Sequence, residues 1–239
     1  MADTVNTIGA ATVPMLRGLR DSVYELVLGM LMSPDIVPGS RLSIDTVARD
    51  LNVSPTPVRE ALVLLERTGL VTREAHKGYR TAPPFSDGQL EALFDARLLL
   101  EGGATELATI NAATVVPQLE HSMMAHREVT RRVKSAAAKG EIPIELLREY
   151  FVIDWSFHHQ IFEGTHNPFL VDMAETISTR VHRMRQTVRT GVSDAGDALI
   201  EHEAVLEALK GGDPGIAGDA MRDHIEKVRM RSRSDSHLR

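Results

Sequence analysis

The sequence contains no cysteine. That absence removes disulfides, thiolate metal sites and cysteine nucleophiles together, and it makes a reducing, cytoplasmic setting the simplest expectation. Aromatic residues are scarce, at 4% with a single Trp, so any core must be packed mainly through Leu, Val, Ala and Met. No apolar run approaches the roughly 20 residues that a membrane span needs; the densest, around Leu26–Met32, is far shorter. The opening MADTVNTIGA has no basic stretch followed by an apolar one, which argues against a secretory leader. An excess of basic charge is also missing. Lys and Arg total 27 against 33 Asp and Glu, a net charge of −6. The distribution is more informative than the total: residues 1–82 hold 9 basic and 9 acidic side chains, and the remainder holds 18 and 24. A neutral third precedes an acidic two-thirds. With 239 residues, 43% hydrophobic and 25% charged, the composition is that of one large or two small soluble domains.

Residues 1–15 are small and polar and read as a flexible arm. A helical stripe follows at spacings of three and four through Leu16, Leu19, Val23, Leu26, Val27, Met30 and Leu31. Pro34 and the Pro38-Gly39 turn end it. Ser43 can cap a second helix whose buried face is Ile44, Val47, Ala48 and Leu51. A third helix starts near Ser54, turns Val58, Ala61, Leu62 and Leu65 inward, and closes at Gly69. Leu70–Thr81 reads as a β-hairpin turning at Lys77-Gly78. The whole of residues 16–82 therefore predicts a winged helix–turn–helix.

The third helix would present Ser54, Thr56 and Arg59 to a DNA major groove. The hydroxyls and the free N–H groups of a helix start suit phosphate oxygens, and Arg59 can offer a fork to guanine. The hairpin adds Arg73, His76, Lys77 and Arg80, with Gly78 allowing close approach to a backbone. The competing reading is a winged helix used for protein contacts, with Arg59 a solvated charge. One recognition helix reads only a few base pairs, so DNA binding would require a homodimer on an inverted repeat.

The runs Pro38-Gly39-Ser40-Arg41-Leu42, Val53-Ser54-Pro55-Thr56-Pro57-Val58-Arg59-Glu60-Ala61-Leu62 and Leu65-Glu66-Arg67-Thr68-Gly69-Leu70-Val71 resemble the GntR family of bacterial transcription regulators across residues 16–82. The resemblance implies binding to a double-stranded DNA operator. Pro55 stands where many members carry a DNA-contacting Arg, so no contact is carried over at position 55.

Residues 83–88 form a Pro-rich linker, Pro83-Pro84-Phe85-Ser86-Asp87-Gly88, in which Ser86 or Asp87 can cap the next helix. From residue 89 to about 232 the pattern is helical, with helices expected at 90–113, 116–138, 145–163, 169–189, 194–209 and 214–230. Breaks are expected at Pro117, Lys139-Gly140, Gly164–Pro168, Gly191–Asp194 and Gly211–Pro214. The fold class is mainly α: a winged helix–turn–helix followed by an all-α bundle.

Four residues of that bundle fall on apolar faces. Asp154 and His158 lie in the stripe Tyr150, Phe151, Asp154, Phe157, His158, Ile161, Phe162. His202 precedes Val205, Leu206 and Leu209, and His224 lies between Met221 and Val228. A buried carboxylate must be neutralised, hydrogen-bonded or metal-bound. Asp154 and His158, at i and i+4, can bind one ion from one side of a helix, and two further helices can each add a His. Taken singly, each His is better explained as a hydrogen-bonded core residue; the four positions together leave both readings open. His159 and His166 have no fixed direction; His121, His126 and His182 sit among charges and read as solvated.

The set Arg97 and Glu101, Asp154 and His158 with Asn167, Glu201-His202, and Met221-Arg222-x-His224 resembles the FCD ligand-binding domain of the FadR subgroup of the same family. The resemblance implies a divalent metal (Zn, Ni or Mn) held by Asp154, His158, His202 and His224, and a small carboxylate or sugar-acid effector bound beside it. One Asp and three neutral imidazoles leave a divalent site with charge +1, which attracts an anionic oxygen ligand. Arg97 resembles the family position that points into the cavity and would clamp the effector; its alternative is a surface salt bridge with Asp95 or Glu101. Arg148 and Arg180 are further effector candidates. The expected function is a metabolite-responsive regulator, most simply a repressor, and not an enzyme. Two alternatives remain: a metal-dependent hydrolase, for which no general base is evident because Glu201 and Glu203 should splay to either side of His202, and a purely structural metal or dimerisation domain.

Overall fold

The computed structural model describes residues 22–24, 26–31, 36–74, 78–140, 142–187 and 194–236. The expected arm, the start of the first helical stripe, the tip of the hairpin including His76 and Lys77, and the break at 191–193 lie outside them. The chain divides between Pro83 and Pro84 into two compact units.

In the first unit, helix α1 (helical at residues 22–24 and 26–31) buries Val23, Val27 and Leu31. Helix α2 (Ile44–Asp50) is capped by the Ser43 side chain, which accepts from the Thr46 N–H at 3.3 Å. Helix α3 (Pro55–Thr68) begins after Ser54 and ends at Gly69, whose φ of 78° is the left-handed cap a glycine supplies without strain. Val58, Ala61, Leu62 and Leu65 are fully buried against Val47, Leu42, Val71 and Tyr79. Strand β2 (Val71–Glu74) and strand β3 (Gly78–Thr81) pair antiparallel. The sequence reading missed one strand: β1 (Arg41–Leu42) pairs with β3, giving a three-stranded sheet in the order β1-β3-β2. Two residues are too short for a periodicity to register, and the pairing is made by a partner some 40 positions away. The unit is a winged helix–turn–helix with the sheet as its wing.

The second unit consists of α4 (Asp87–Thr109), α5 (Ala112–Ala137), α6 (Ile144–Gly164), α7 (Pro168–Thr187), α8 (Ala195–Gly211) and α9 (Pro214–Ser236). Helix α4 starts inside the expected linker because Ser86 and Gln89 form a reciprocal capping box. Pro117 does not break the chain. It sits inside α5 as its sixth residue, where it removes one helical N–H donor without ending the helix; the break falls at Ile110-Asn111 instead, where the Asn111 amide donates to Gly164 O at 2.8 Å. The turn between α6 and α7 uses His166 at φ 53° and Asn167, whose Oδ1 accepts from the N–H groups of Phe169 and Leu170. Helix α4 packs on α9, α6 and α7; α5 packs on α6 and α8; and α8 packs on α9. Their shared core includes Phe94, Leu119, Met123, Phe157, Phe162, Leu209, Met221 and Ile225. The expected metal ligands, Asp154 and His158 on α6, His202 on α8 and His224 on α9, are all buried within this unit.

Candidate metal centre and nucleic-acid interface

His158 from α6, His202 from α8 and His224 from α9 point their Nε2 atoms at one another. His202 Nε2 is 3.1 Å from His158 Nε2 and 3.3 Å from His224 Nε2. All three rings are at most 2% exposed. Packing fixes their planes: His202 stacks on Phe157 with centroids 4.3 Å apart, and His158 stacks on Trp155.

The opposite nitrogens carry the information about protons. His224 Nδ1 donates to Glu201 Oε2 at 2.8 Å, and His158 Nδ1 lies 2.7 Å from Glu101 Oε2. A nitrogen that close to a carboxylate oxygen must hold the ring proton, since two lone pairs would repel. Each carboxylate is in turn paired with an arginine. Arg97 Nε donates to Glu101 Oε1 at 2.6 Å, and Arg231 spans Glu201 with contacts of 2.6 and 2.9 Å while also donating to Asp194 at 2.7 Å. Burial pushes both glutamates up, but the charge of Arg97 acting on Glu101, and the hydrogen bonds from His224 and Arg231 to Glu201, hold both at about 2. Burial lowers His224 to about 4, against the pull of Glu201. Burial, followed by the neighbouring His224 and His158, holds His202 well below its ordinary range.

His202 and His224 are therefore neutral at pH 7. With the protons of His158 and His224 on Nδ1, their Nε2 lone pairs converge on His202. The single proton of His202 can satisfy one of them at most. Such a convergence of lone pairs in a dry core is costly unless a cation occupies it. For metal–nitrogen bonds of about 2.0–2.1 Å, two ligands on one ion stand about 2.9 Å apart at 90° and about 3.3 Å apart at 109°. The observed separations lie within that span, and neutral imidazole is a ligand for first-row divalent metals. The donor set fits a metal.

Asp154, the fourth expected ligand, is buried and groups with His126 and His202. His126 is a correction to the sequence reading. Rather than a solvated residue, it is 1% exposed, with Nδ1 3.3 Å from His202 Nδ1 and Nε2 3.9 Å from Asp154 Oδ1. Its signal was present in the stripe Leu119, Ser122, Met123, His126, Val129, Thr130, Val133, all buried on α5. Glu201 was also misread: it does not splay away, because it shares a helix face with Ala198 and Val205. Arg231 went unnoticed altogether. His121 and His166 are exposed, and His159 is held by Glu163 and Glu175; the side chain of His182 lies outside the described residues.

Of the three arginines expected at an effector, Arg97 is at the centre. It makes the salt bridge with Glu101, but in the core rather than at the surface, and its Nη1 is buried with no hydrogen-bond partner among the described residues. Arg180 instead lines a separate groove of about 450 Å³ between α4 and α7, with Phe85, Leu93, Leu100, Met173 and Ile177. Arg148 is half-buried on α6, six residues before Asp154.

In the first unit Ser54, Thr56 and Arg59 are all exposed at the start of α3, and the Ser54 side chain makes no cap hydrogen bond. Pro55 and Pro57 have no N–H, so Thr56 holds the one backbone donor among the first three helical residues. The anion-binding helix start of the sequence reading is thus reduced to one N–H and two hydroxyls. Gly78 is exposed at φ 89°. Arg80 is committed elsewhere, to Glu74 at 2.8 Å and Gly39 O at 3.1 Å. No helix among the described residues is long and apolar enough to cross a membrane.

Comparison with known proteins matches both units. The family described as bacterial regulatory proteins, gntR family, matches residues 19–80, and the FCD domain matches residues 92–227. The HTH-type transcriptional repressor GlaR of Escherichia coli (strain K12) is 25% identical over 219 residues, covering 90% of this chain and 93% of that protein. A probable D-xylose utilization operon transcriptional repressor of Paenarthrobacter nicotinovorans is 27% identical over 183 residues, covering 75% and 73%. Among solved structures, E. coli McbR/YncC superposes with a TM-score of 0.73 at 20% identity, covering 90% of this chain and 97% of that one, a likeness of fold.

Proposed function

Because this chain belongs to the GntR family of bacterial regulatory proteins, with an FCD domain in its second unit, we propose that it is a metal-containing repressor released from DNA by a small organic acid. Membership makes it a DNA-binding transcription regulator with an effector-binding domain. Repression follows the two relatives named as repressors. A homodimer on an inverted repeat places two copies of α3 in the major groove, with Ser54 and Thr56 on phosphates, Arg59 on a base edge, and Gly78, His76 and Lys77 of the wing on the backbone.

The observation that carries the metal reading is the meeting of three Nε2 atoms, two of whose rings, His158 and His224, are oriented by Glu101 and Glu201. His158, His202 and His224 would supply nitrogen donors and Asp154 a carboxylate to a Zn, Ni or Mn ion. The Arg97–Glu101 and Arg231–Glu201 pairs are each neutral, so the bound ion and Asp154 together leave +1. When bound, the ion supplies a Lewis-acidic point for an anionic oxygen ligand. Arg97 Nη1, buried and unused, is the second point of attachment, suited to a carboxylate or hydroxycarboxylate. Arg148 is a secondary candidate for the same ligand, and Arg180 for an acid held in the separate groove between α4 and α7.

Release follows from what the ligand would join. Arg97 lies on α4, which begins directly after the Pro83-Pro84 link, whereas the histidines lie on α6, α8 and α9. A carboxylate held at both ends favours one arrangement of α4, and an effector shifts DNA affinity only through such a preference. The test is a mobility-shift assay on DNA flanking the protein's own gene, with metal content measured on the same sample. Close to one divalent ion per chain is expected, with DNA release by a member of a sugar-acid and hydroxy-acid panel. Metal-free protein after incubation with Zn²⁺, Ni²⁺ and Mn²⁺ refutes the metal reading, and effector-independent binding refutes the switch.

A further inference from the structure

We propose that His126 is the positioning residue for His202: it holds the His202 ring in the tautomer that leaves Nε2 free for the ion. This rests on the metal reading above and adds a residue to it.

Each outer histidine of the Nε2 triad has a proton acceptor at Nδ1, which is Glu101 for His158 and Glu201 for His224. The close partner of His202 on that side is an imidazole rather than a carboxylate. His202 Nδ1 faces His126 Nδ1 at 3.3 Å. Two neutral imidazoles meeting through Nδ1 share one proton between them, so one ring donates and the other accepts. If His126 donated, the His202 proton would stand on Nε2, in the middle of the triad, and no ion could bind there. If His202 donates, its Nε2 lone pair joins those of His158 and His224, and the His126 proton moves to Nε2. That nitrogen lies 3.9 Å from Asp154 Oδ1, too long for a hydrogen bond but close enough for the carboxylate to favour the N–H dipole over a lone pair. Asp154 therefore selects the His126 tautomer, and His126 selects that of His202.

Packing leaves little freedom to avoid this. The His126 and His202 ring centroids are 5.1 Å apart, Tyr150 lies against His126 at 5.7 Å, and Phe157 stacks on His202. All three nitrogen ligands are then oriented by a partner on a different helix: α4 for His158, α8 for His224 and α5 for His202. Outer partners of metal-bound histidines are worth about 10–100-fold in metal affinity.

The experiment measures Zn²⁺ affinity of the full chain by competition with a chromophoric chelator, for wild type, His126→Leu and His126→Asn, with Zn²⁺ stoichiometry determined alongside. Asn can place an acceptor oxygen where Nδ1 stands, whereas Leu cannot. The expected result is one Zn²⁺ per chain in wild type, an affinity loss of about 10–100-fold in His126→Leu, and recovery of most of it in His126→Asn. ¹⁵N–¹H correlation spectra of wild type, which need no variant to fold, should show His202 as the Nδ1–H tautomer and His126 as the Nε2–H tautomer in the Zn²⁺-bound protein. Wild-type affinity in His126→Leu, or a His126 protonated at Nδ1, overturns the proposal. So does a wild type that binds two Zn²⁺ and falls to one in His126→Leu, because His126 is then a ligand of a second ion shared through His202 and Asp154. Failure of wild type to bind Zn²⁺ at all overturns the metal reading itself, which separates the two.

Discussion

Glu201 accepts the Nδ1 proton of His224 at 2.8 Å, and the two residues reach each other from neighbouring helices. Arg231, also on α9, closes on the same carboxylate from its other side. The glutamate is thereby kept ionised and the imidazole is turned so that Nε2 faces the centre of the bundle. A mirror of this arrangement, Arg97–Glu101–His158, operates from α4. The centre is supported from outside by these two ion pairs.

Acid should destabilise the metal-free protein in two stages. His224 is lowered to about 4 from an ordinary value of 6.5, so the unfolded chain takes up its proton first and stability falls as pH drops from 6.5 through 4. Glu201 and Glu101 are lowered to about 2 from 4.5, so their contribution is present above 4.5 and is lost as pH falls further toward 2. Urea denaturation of chelator-treated protein between pH 7 and 3 should show the first loss already by pH 5. In Glu201→Gln the second stage should be smaller. A stability that stays flat from pH 7 to 4 contradicts the neutral, buried imidazoles.

Arg59 is exposed on the first turns of α3 and contributes nothing to the core of its unit. Arg59→Ala should leave the circular dichroism and melting temperature unchanged and weaken specific operator binding by about 1–3 kcal/mol. Binding to unrelated DNA should change little. Lys77→Ala should instead weaken binding to all sequences alike and reduce its salt dependence, as a phosphate contact does. Gel-shift titrations on operator and random DNA at two salt concentrations measure both.

Arg97 has two tasks, neutralising Glu101 and offering Nη1 to a ligand. Arg97→Lys keeps a cation beside Glu101 but removes the planar fork. We expect it to retain its metal and its effector-free affinity for DNA, while needing at least about tenfold more organic acid for release, the value of one lost charge-assisted bond. Release at the wild-type concentration would exclude Arg97 as the clamp and move attention to Arg180 or Arg148.

Gly164 ends α6 beneath α5, where an added Cβ would run into the Val115 side chain and crowd Ala108. Its carbonyl is also the acceptor for Asn111, which starts α5. Gly164→Ala should therefore cost about 1–3 kcal/mol as an overpacked core position, lowering the denaturation midpoint without altering the residues of the candidate metal centre. A variant as stable as wild type would mean that α5 can shift outward freely.

Much of this protein is determined by local pattern. Six bundle helices, the Ser43 and Gly69 caps of the first unit and the apolar faces bearing Asp154, His158, His202 and His224 all depend on spacings of three and four along the chain, and those spacings are written in the sequence. What the sequence by itself could not determine is which buried polar atoms meet. His126 and Glu201 each lay on a legible buried stripe, yet on a single helix they look like the other charged residues around them, and Arg231 pairs with a carboxylate 30 positions away. Strand β1 exists because β3 lies beside it. Desolvation, tautomer and proton placement are properties of atoms brought within about 3 Å of each other by the packing of five helices. Only the tertiary structure sets those distances, and it is those distances that turn three core histidines into a candidate metal centre.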